Sequence, residues 1–271
     1  MSVSPKSPPR ILSIAGSDSS GGAGIQADIK TITMLGGYAM TAITAVTAQN
    51  SCGVQAIAPM AGSVVASQIT SCAGDIGVDA VKIGMLHDAE IITSVAGALE
   101  QLDPAIPIVL DPVMIATSGA ALIADDAIDA MREKLFARAT VLTPNLPELE
   151  HLHGATLRKD TLVAEAATSL AEAHNCAVLA KGGHTEDQRI IDLLCLADGE
   201  THSFEHERLD TRHTHGTGCT LSAALATLLG HGQPLGNAVK LARQFTFAAI
   251  ENAPGFGDGN GPLGHQAVRK L

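Results

Sequence analysis

His213-Thr214-His215-Gly216-Thr217-Gly218-Cys219-Thr220-Leu221-Ser222-Ala223-Ala224 reads as a glycine-rich loop that runs into a helix, with one cysteine at the turn. Gly216 and Gly218 lack Cβ atoms, so the peptide N–H groups around them can converge on an anion. The helix, read from about Thr220 to Leu229, adds the partial positive charge of its N-terminus. That is a phosphate site in outline, and the same field favours the thiolate of Cys219 over those of the other cysteines. The segment also reads more plainly, as a tight turn before an Ala/Leu helix with a cysteine that only packs.

Short aliphatic or β-branched runs alternate with longer Ala/Leu-rich amphipathic ones along the chain, the pattern of βα units around a parallel sheet. The expected strands are Ile11–Ala15, Ala39–Thr47, Ala80–Gly84, Ile106–Leu110, Thr140–Thr143 and Ala177–Lys181, with helices between most of them. Residues 190–207 break the pattern: Ile190–Leu196 and Thr201–His206 flank Asp198-Gly199, a β-hairpin signal. There is no internal repeat and no low-complexity linker. The expected architecture is a single-domain three-layer α/β/α sandwich with a mostly parallel central sheet, over residues 11–271. Residues 1–10, MSVSPKSPPR, read as a flexible tail rather than a signal peptide.

Composition narrows the function. The net charge of −11, without any Lys/Arg run, argues against a nucleic-acid surface but leaves room for small anionic substrates. The five cysteines, Cys52, Cys72, Cys176, Cys195 and Cys219, form no CxxC pair and no Cys/His metal spacing, so reduced thiols in the cytoplasm are expected. No stretch is apolar for long enough to span a bilayer. With aromatics at 2 %, the core must be aliphatic and alanine-rich.

In such a sheet ligands sit beyond the carboxyl ends of the strands, and several polar residues fall there. After the first strand comes Gly16-Ser17-Asp18-Ser19-Ser20-Gly21-Gly22-Ala23-Gly24, then a helix carrying Asp28. It matches neither a P-loop nor a dinucleotide fingerprint, and reads as a second anion loop or as a flexible connection. Asp28 reads as a substrate ligand or as part of a solvated face. Gln49, in Thr47-Ala48-Gln49-Asn50, offers a donor and an acceptor suited to an aminopyrimidine edge. Met85 walls a flat ring or fills the core. Asp111 ends an apolar strand before Pro112-Val113-Met114 and suits metal-bound phosphates or a turn cap. Asn145 and Glu148 are oxygen ligands three apart at a helix start, which suits Mg²⁺ and equally a capping box. Lys181, beside Gly182, Gly183 and His184, is placed for a phosphate contact or for the surface.

Taken together, the ordered set AGSDSSGGAGIQADIKT, TAQN, KIGML, DPVM, TPNLPE, KGGH, HGTGCTLSAA and GNGPLGH resembles the hydroxymethylpyrimidine/phosphomethylpyrimidine kinases of thiamine biosynthesis, within the ribokinase-like superfamily. The resemblance runs from about Ile11 to Gly264. It implies ATP as co-substrate, Mg²⁺, and two phosphorylations, of 4-amino-5-hydroxymethyl-2-methylpyrimidine and then of its monophosphate. It also suggests a homo-oligomer, a dimer, and it implies no nucleic-acid or membrane partner. Carried over by position, it places Gly16, Ala23, Asp28, Gln49, Met85, Val113 and Cys219 around the pyrimidine, with Asp28 and Gln49 on the ring's nitrogen and amino edge. Gly216, Thr217, Gly218 and Cys219 would form an anion hole, Lys181 would neutralise ATP phosphates, and Asn145 and Glu148, with Asp111 nearby, would help hold Mg²⁺. Cys219 stands where the wider superfamily commonly carries an aspartate base.

Two positions depart from the family pattern. Ser19 stands where proline is common, which should loosen the turn, and Thr47 stands where many members have an aliphatic residue against the ring. Two neighbouring readings follow from the same residues: a pyridoxal/pyridoxine kinase of the same superfamily, and a thiol hydrolase pairing Cys219 with His213 or His215. A non-catalytic pyrimidine-binding protein is a third.

Overall fold

The computed structural model describes residues 7–114, 123, 125–158, 160–183 and 188–268. His184 and the first six residues of the expected tail lie outside them. Pro9 is buried, its carbonyl accepts the Tyr38 N–H at 2.8 Å, and Arg10 already belongs to the first strand.

The strands are β1 (Arg10–Asp18), β2 (Tyr38–Asn50), β3 (Gly53–Pro59), β4 (Ala80–Ile83), β5 (Ile108–Leu110), β6 (Val141–Leu142), β7 (Ala177–Ala180), β8 (Arg189–Cys195) and β9 (Thr201–Glu207). They form one sheet in the order β3-β2-β1-β4-β5-β6-β7-β8-β9. From β2 to β7 every neighbouring pair is parallel; β3, β8 and β9 are antiparallel additions at the two edges. The helices are α1 (Gly24–Met34), α2 (Gly62–Asp75), α3 (Ala89–Leu99), α4 (Asp125–Lys134), α5 (Leu146–His153), α6 (Asp160–His174), α7 (Thr217–Gly230) and α8 (Leu235–Glu251).

The central strands are apolar on both faces because both are covered. Leu12, Ile14, Val81, Ile83, Leu110, Leu142 and Val178 pack with α2 to α6 on one side. The alternating Ile11, Ala80, Val109, Val141, Ala177 and Leu179 pack with α1, α7 and α8 on the other. This is the expected three-layer sandwich. Buried alanines such as Ala223, Ala224 and Ala226 let α7 lie close against the sheet.

The structure extends the sequence reading in three places. β3 was not expected, because its half-exposed Gly-Val-Gln-Ala-Ile-Ala-Pro has neither a clear alternation nor a buried run. β1 continues through Gly16 to Asp18, with a shift of register between Ala15 and Ser17 that places a bulge at Gly16. Finally, α7 begins at Thr217, three residues earlier than read, so Cys219 lies in the first helical turn and not before it.

Candidate active site

β1 pairs with β2 on one side and β4 on the other; the chain leaves β1 for α1 on one face of the sheet and leaves β4 for α3 on the opposite face. Connections that diverge in this way open a crevice at the carboxyl ends of the strands. A cavity of about 920 Å³ lies there. It runs from the end of β1 and the β2–β3 ribbon, past the head of α7, to the ends of β6 and β7.

The head of α7 forms one wall. Gly216 caps the helix at φ +89°, and a Cβ on it would overlap the carbonyl oxygen of Gly22, so only glycine fits the turn. Of the first-turn amides, that of Thr217 donates to the Thr214 carbonyl at 3.2 Å, while those of Gly218 and Cys219 have no acceptor within the helix and lie at its positive end. A Cβ on Gly218 would lie 3.2 Å from Asp111 Oδ2 and 3.3 Å from Lys181 Nζ. Bare backbone thus faces the charged groups across the crevice.

The first loop and the α7 loop are fastened together by Asp18. Its carboxylate accepts from the amides of Gly22 (3.0 Å) and Ala23 (2.8 Å) and from Ser20, and lies 2.9 Å from His215 Nε2. Burial works to raise the Asp18 carboxyl, but the hydrogen bonds from His215, Ser20 and Ala23 outweigh it and hold it below its ordinary range. The sequence reading gave Asp18 no role. Its only signal was an Asp two residues before a Ser and four before a Gly, the spacing of a side chain that closes its own loop.

At the ends of β5, β6 and β7 the predicted phosphate and metal residues come together. Lys181 Nζ is 2.7 Å from Asp111 Oδ1 and 3.9 Å from Glu148 Oε2. Thr143 Oγ1 also donates to Asp111, at 2.9 Å. Asn145 and Glu148 form the capping box that the sequence allowed: Asn145 Oδ1 accepts from the Glu148 amide at 2.9 Å, and Glu148 Oε2 from the Asn145 amide at 2.8 Å. Asn145 is therefore engaged by its own helix. Burial lifts the Glu148 carboxyl to about 7, against the pull of Lys181 and with Asp111 adding to it.

Whether these residues suit a divalent cation is decided by the donor set. Asp111 and Glu148 supply hard oxygen donors at one edge of the cavity. Among the described residues no cluster of three or more His, Cys, Asp or Glu could enclose a metal ion alone. Two carboxylates without a closed cage suit Mg²⁺, which keeps waters and completes its shell with substrate phosphates.

At the other end of the cavity, Gly16, Ala23, Gln49, Met85 and Val113 all line the wall. A Cβ on Gly16 would stand 3.2 Å from Met85 Sδ, so the bulge leaves a slot beside the thioether. Thr47 is buried, and its single hydroxyl proton is shared between the Ser17 carbonyl (3.0 Å) and Gln49 Oε1 (3.1 Å); it orients Gln49 rather than facing a ring with a free hydroxyl. Ser19 does not loosen its turn: its hydroxyl donates to the Gln49 carbonyl (2.9 Å) and accepts the Gln49 amide (2.8 Å), tying the loop to β2.

Asp28 is a correction. It is fully buried and does not line the cavity, so it does not reach a ring. Its Oδ2 accepts from Lys82 Nζ at 2.8 Å and from Ser13 Oγ at 2.6 Å. The residue that meets the cavity floor in its place is Lys82, in the KIGML run, which the sequence reading passed over. Burial works against the Lys82 charge, but Asp28, Cys219 and Asp111 outweigh it and raise its pKa. A lysine at the end of a buried strand, with an aspartate one helix turn into α1, was the available signal.

Cys219 lines the cavity between these two ends. The expected depression of its pKa is not found: burial pushes the thiol up to about 11, and the Asp28 and Asp111 carboxylates add to this. Lys82 and the Gly24 amide pull the other way and do not compensate. The helix field acts on Cys219, yet loss of water around the sulfur costs more. Nor is there a thiol–imidazole pair among the described residues. His215 is committed to Asp18, and Nδ1 of His213 is buried with no partner.

The geometry joins an anion-binding helix head, a lysine with two carboxylates and a flat slot in one cavity. A family model described as phosphomethylpyrimidine kinase matches residues 18–264. The hydroxymethylpyrimidine/phosphomethylpyrimidine kinase of Haemophilus influenzae is 44 % identical over 265 residues, covering 97 % of this chain and 98 % of that protein. Among solved structures, the phosphomethylpyrimidine kinase of Clostridium difficile is similar with a TM-score of 0.78 and 36 % identity, over 89 % of this chain and 99 % of that one. The pyridoxal kinase of Staphylococcus aureus, in complex with AMP-PCP and pyridoxal, is similar with a TM-score of 0.88 and 32 % identity, over 97 % of this chain and 96 % of that one.

Proposed function

The chain belongs to the phosphomethylpyrimidine kinase family, and we propose that it uses Mg·ATP to phosphorylate 4-amino-5-hydroxymethyl-2-methylpyrimidine and then the resulting monophosphate, in thiamine biosynthesis. It is a phosphotransferase with the ribokinase-like fold. The observation that carries the reading is the single cavity in which the α7 amides, Lys181 and the Gly16–Met85 slot face one another.

In this reading the ring lies in the slot beside Met85 and Val113, with Gln49 hydrogen-bonding its nitrogen and amino edge. The reacting oxygen then points at the amides of Gly216 to Cys219. Phosphoryl transfer passes through a loose transition state, so fixed positive charge and alignment matter more than a strong base. The α7 amides and Lys181 supply that charge at the transferring group. Asp111 and Glu148 would hold the cation, with Asn145 fixing Glu148 through the capping box. A bound Mg²⁺ neutralises charge on the triphosphate. The hydroxyl proton leaves late, as the oxygen gains its bond to phosphorus; Cys219 takes it only in its thiolate form, and a phosphate oxygen is the alternative acceptor.

The two steps make different demands. The first nucleophile is a neutral alcohol that must lose a proton. The second is a phosphate oxygen already anionic at neutral pH, the second pKa of a phosphomonoester being about 6. One cleft can serve both, provided that its charge stabilisation does not depend on the base.

Dependence on the cation is tested by chelation. With pyrimidine alcohol and ATP, excess EDTA is expected to abolish ADP release and added Mg²⁺ to restore it. Turnover that persists in EDTA would remove the metal from the proposal and leave Asp111 and Glu148 as partners of Lys181 only.

A further inference from the structure

Beyond Lys181 the cavity continues along β8 and α8, where a cluster of charged side chains has no part in the chemistry described above. We infer that Asp192, on β8, is a positioning residue that holds the Lys181–Gly183 segment in register for the nucleotide phosphates. The inference rests on the kinase reading and on the role of Lys181 in it.

The Asp192 carboxylate is buried and each of its oxygens is used. Oδ1 accepts the Gly182 amide at 2.6 Å, and Oδ2 accepts Arg243 Nε, from α8, at 2.6 Å. Arg243 is in turn fixed by His206 Nδ1, 2.5 Å from its Nη2, and by the Phe204 ring, 5.6 Å from its guanidinium carbon. The segment is held at successive points. The Lys181 amide donates to the Pro144 carbonyl at 2.8 Å, the Gly182 amide to Asp192, and the Gly183 carbonyl accepts from Arg208 at 3.3 Å. A Cβ on Gly182 would overlap the Ile191 carbonyl, so the peptide sits directly on β8.

This arrangement matters because β7 ends at Ala180 and no strand pairing holds the Gly182 amide. Asp192 replaces the missing ladder bond with a charge-assisted one. Because Arg243 comes from α8 and packs beneath β8 and β9, the direction of the carboxylate is set by two elements rather than by its own rotamer. Lys181 has a long, flexible stem, and its useful position depends on where its Cα is fixed. The strained alternative, a buried aspartate kept only to neutralise Arg243, would not require the short bond to Gly182.

The test measures affinity for AMP-PCP with Mg²⁺, and separately for the pyrimidine alcohol, in Asp192→Ala, Asp192→Asn and Lys181→Met. Asp192→Ala is expected to weaken AMP-PCP binding about tenfold, the scale of one hydrogen bond to a charged group, with pyrimidine affinity unchanged. Asp192→Asn keeps an oxygen for the Gly182 amide and should recover most of that loss. In the Lys181→Met background the Asp192→Ala effect should largely vanish, because both act at one point. If Asp192→Ala does not fold, Arg243→Lys keeps the charge but loses the Nε bond, and should give a smaller loss of the same sign. Unchanged nucleotide affinity, equal losses for both ligands, or additivity with Lys181→Met would overturn the inference while leaving the kinase reading intact. A Lys181→Met protein that binds AMP-PCP normally would overturn the inference together with the phosphate-binding role of Lys181 on which it rests.

Discussion

Lys181→Met is expected to lower kcat/KM for ATP by about 10²–10³-fold, the range found when one preorganised transition-state donor is removed. Lys181 lies between two buried carboxylates, 2.7 Å from Asp111 and 3.9 Å from Glu148. Methionine fills much the same space without the charge. The change therefore does more than delete a phosphate contact, since it leaves Asp111 and Glu148 facing the incoming triphosphate. Glu148, already lifted to about 7, would bind a proton more readily still without the lysine that pulls it down. The extra loss should accordingly open above neutral pH, as the pH falls from the higher value Glu148 takes without the lysine toward about 7, and grow no further below that. Steady-state kinetics in ATP at several pH values would measure this. Activity within a few-fold of the parent would mean that the phosphates bind away from the β7 end of the cavity.

The second large effect is expected from Cys219→Ala, and it should divide the two reactions. Phosphorylation of the alcohol should fall by about 10²-fold, the low end for loss of a general base. Phosphorylation of the monophosphate should fall much less, because its nucleophile carries no proton that must leave. Nucleotide affinity should not change. The low-end figure follows from the environment of the sulfur: a thiol pushed up to about 11 is a thiolate only rarely at neutral pH, and only that fraction can act as a base. Equal losses in both steps would make Cys219 a structural part of the α7 turn, and equal retention would leave the amides and Lys181 to carry the chemistry. Comparison of kcat for the two substrates in the same preparation separates these outcomes.

Much of the fold was legible because both faces of the central strands are covered, which makes Ala177–Ala180 a continuous apolar run and Ile11–Ala15 one broken only by Ser13. β3 was not legible because it lies at an edge and is half exposed. Within the site, residues whose backbone does the work could be read from their glycines: Gly16, Gly216 and Gly218 sit where a Cβ would meet Met85, Gly22 or Asp111. Lys181, Asp111 and Glu148 were legible as strand-end or helix-start polar residues. The position of Asp28 was not, because a carboxylate on the first turns of a helix gives no sign of facing inward; only the fold reveals that Lys82 and Ser13 await it. The thiol of Cys219 shows the same limit. The helix head predicts one direction for its pKa, while the surrounding burial, a property of the whole cavity, reverses it. The Asp18–His215 and Asp192–Arg243 contacts escaped because the partners lie far apart in sequence.

The most direct measurement is product mass analysis after incubating the purified protein with Mg·ATP and, separately, the pyrimidine alcohol, its monophosphate and pyridoxal. The expected result is a pyrimidine monophosphate that is converted on longer incubation to the diphosphate, with the monophosphate also serving as a starting substrate. Pyridoxal phosphate as the sole product, with neither pyrimidine altered, would contradict the assignment and transfer the site to the other ring alcohol.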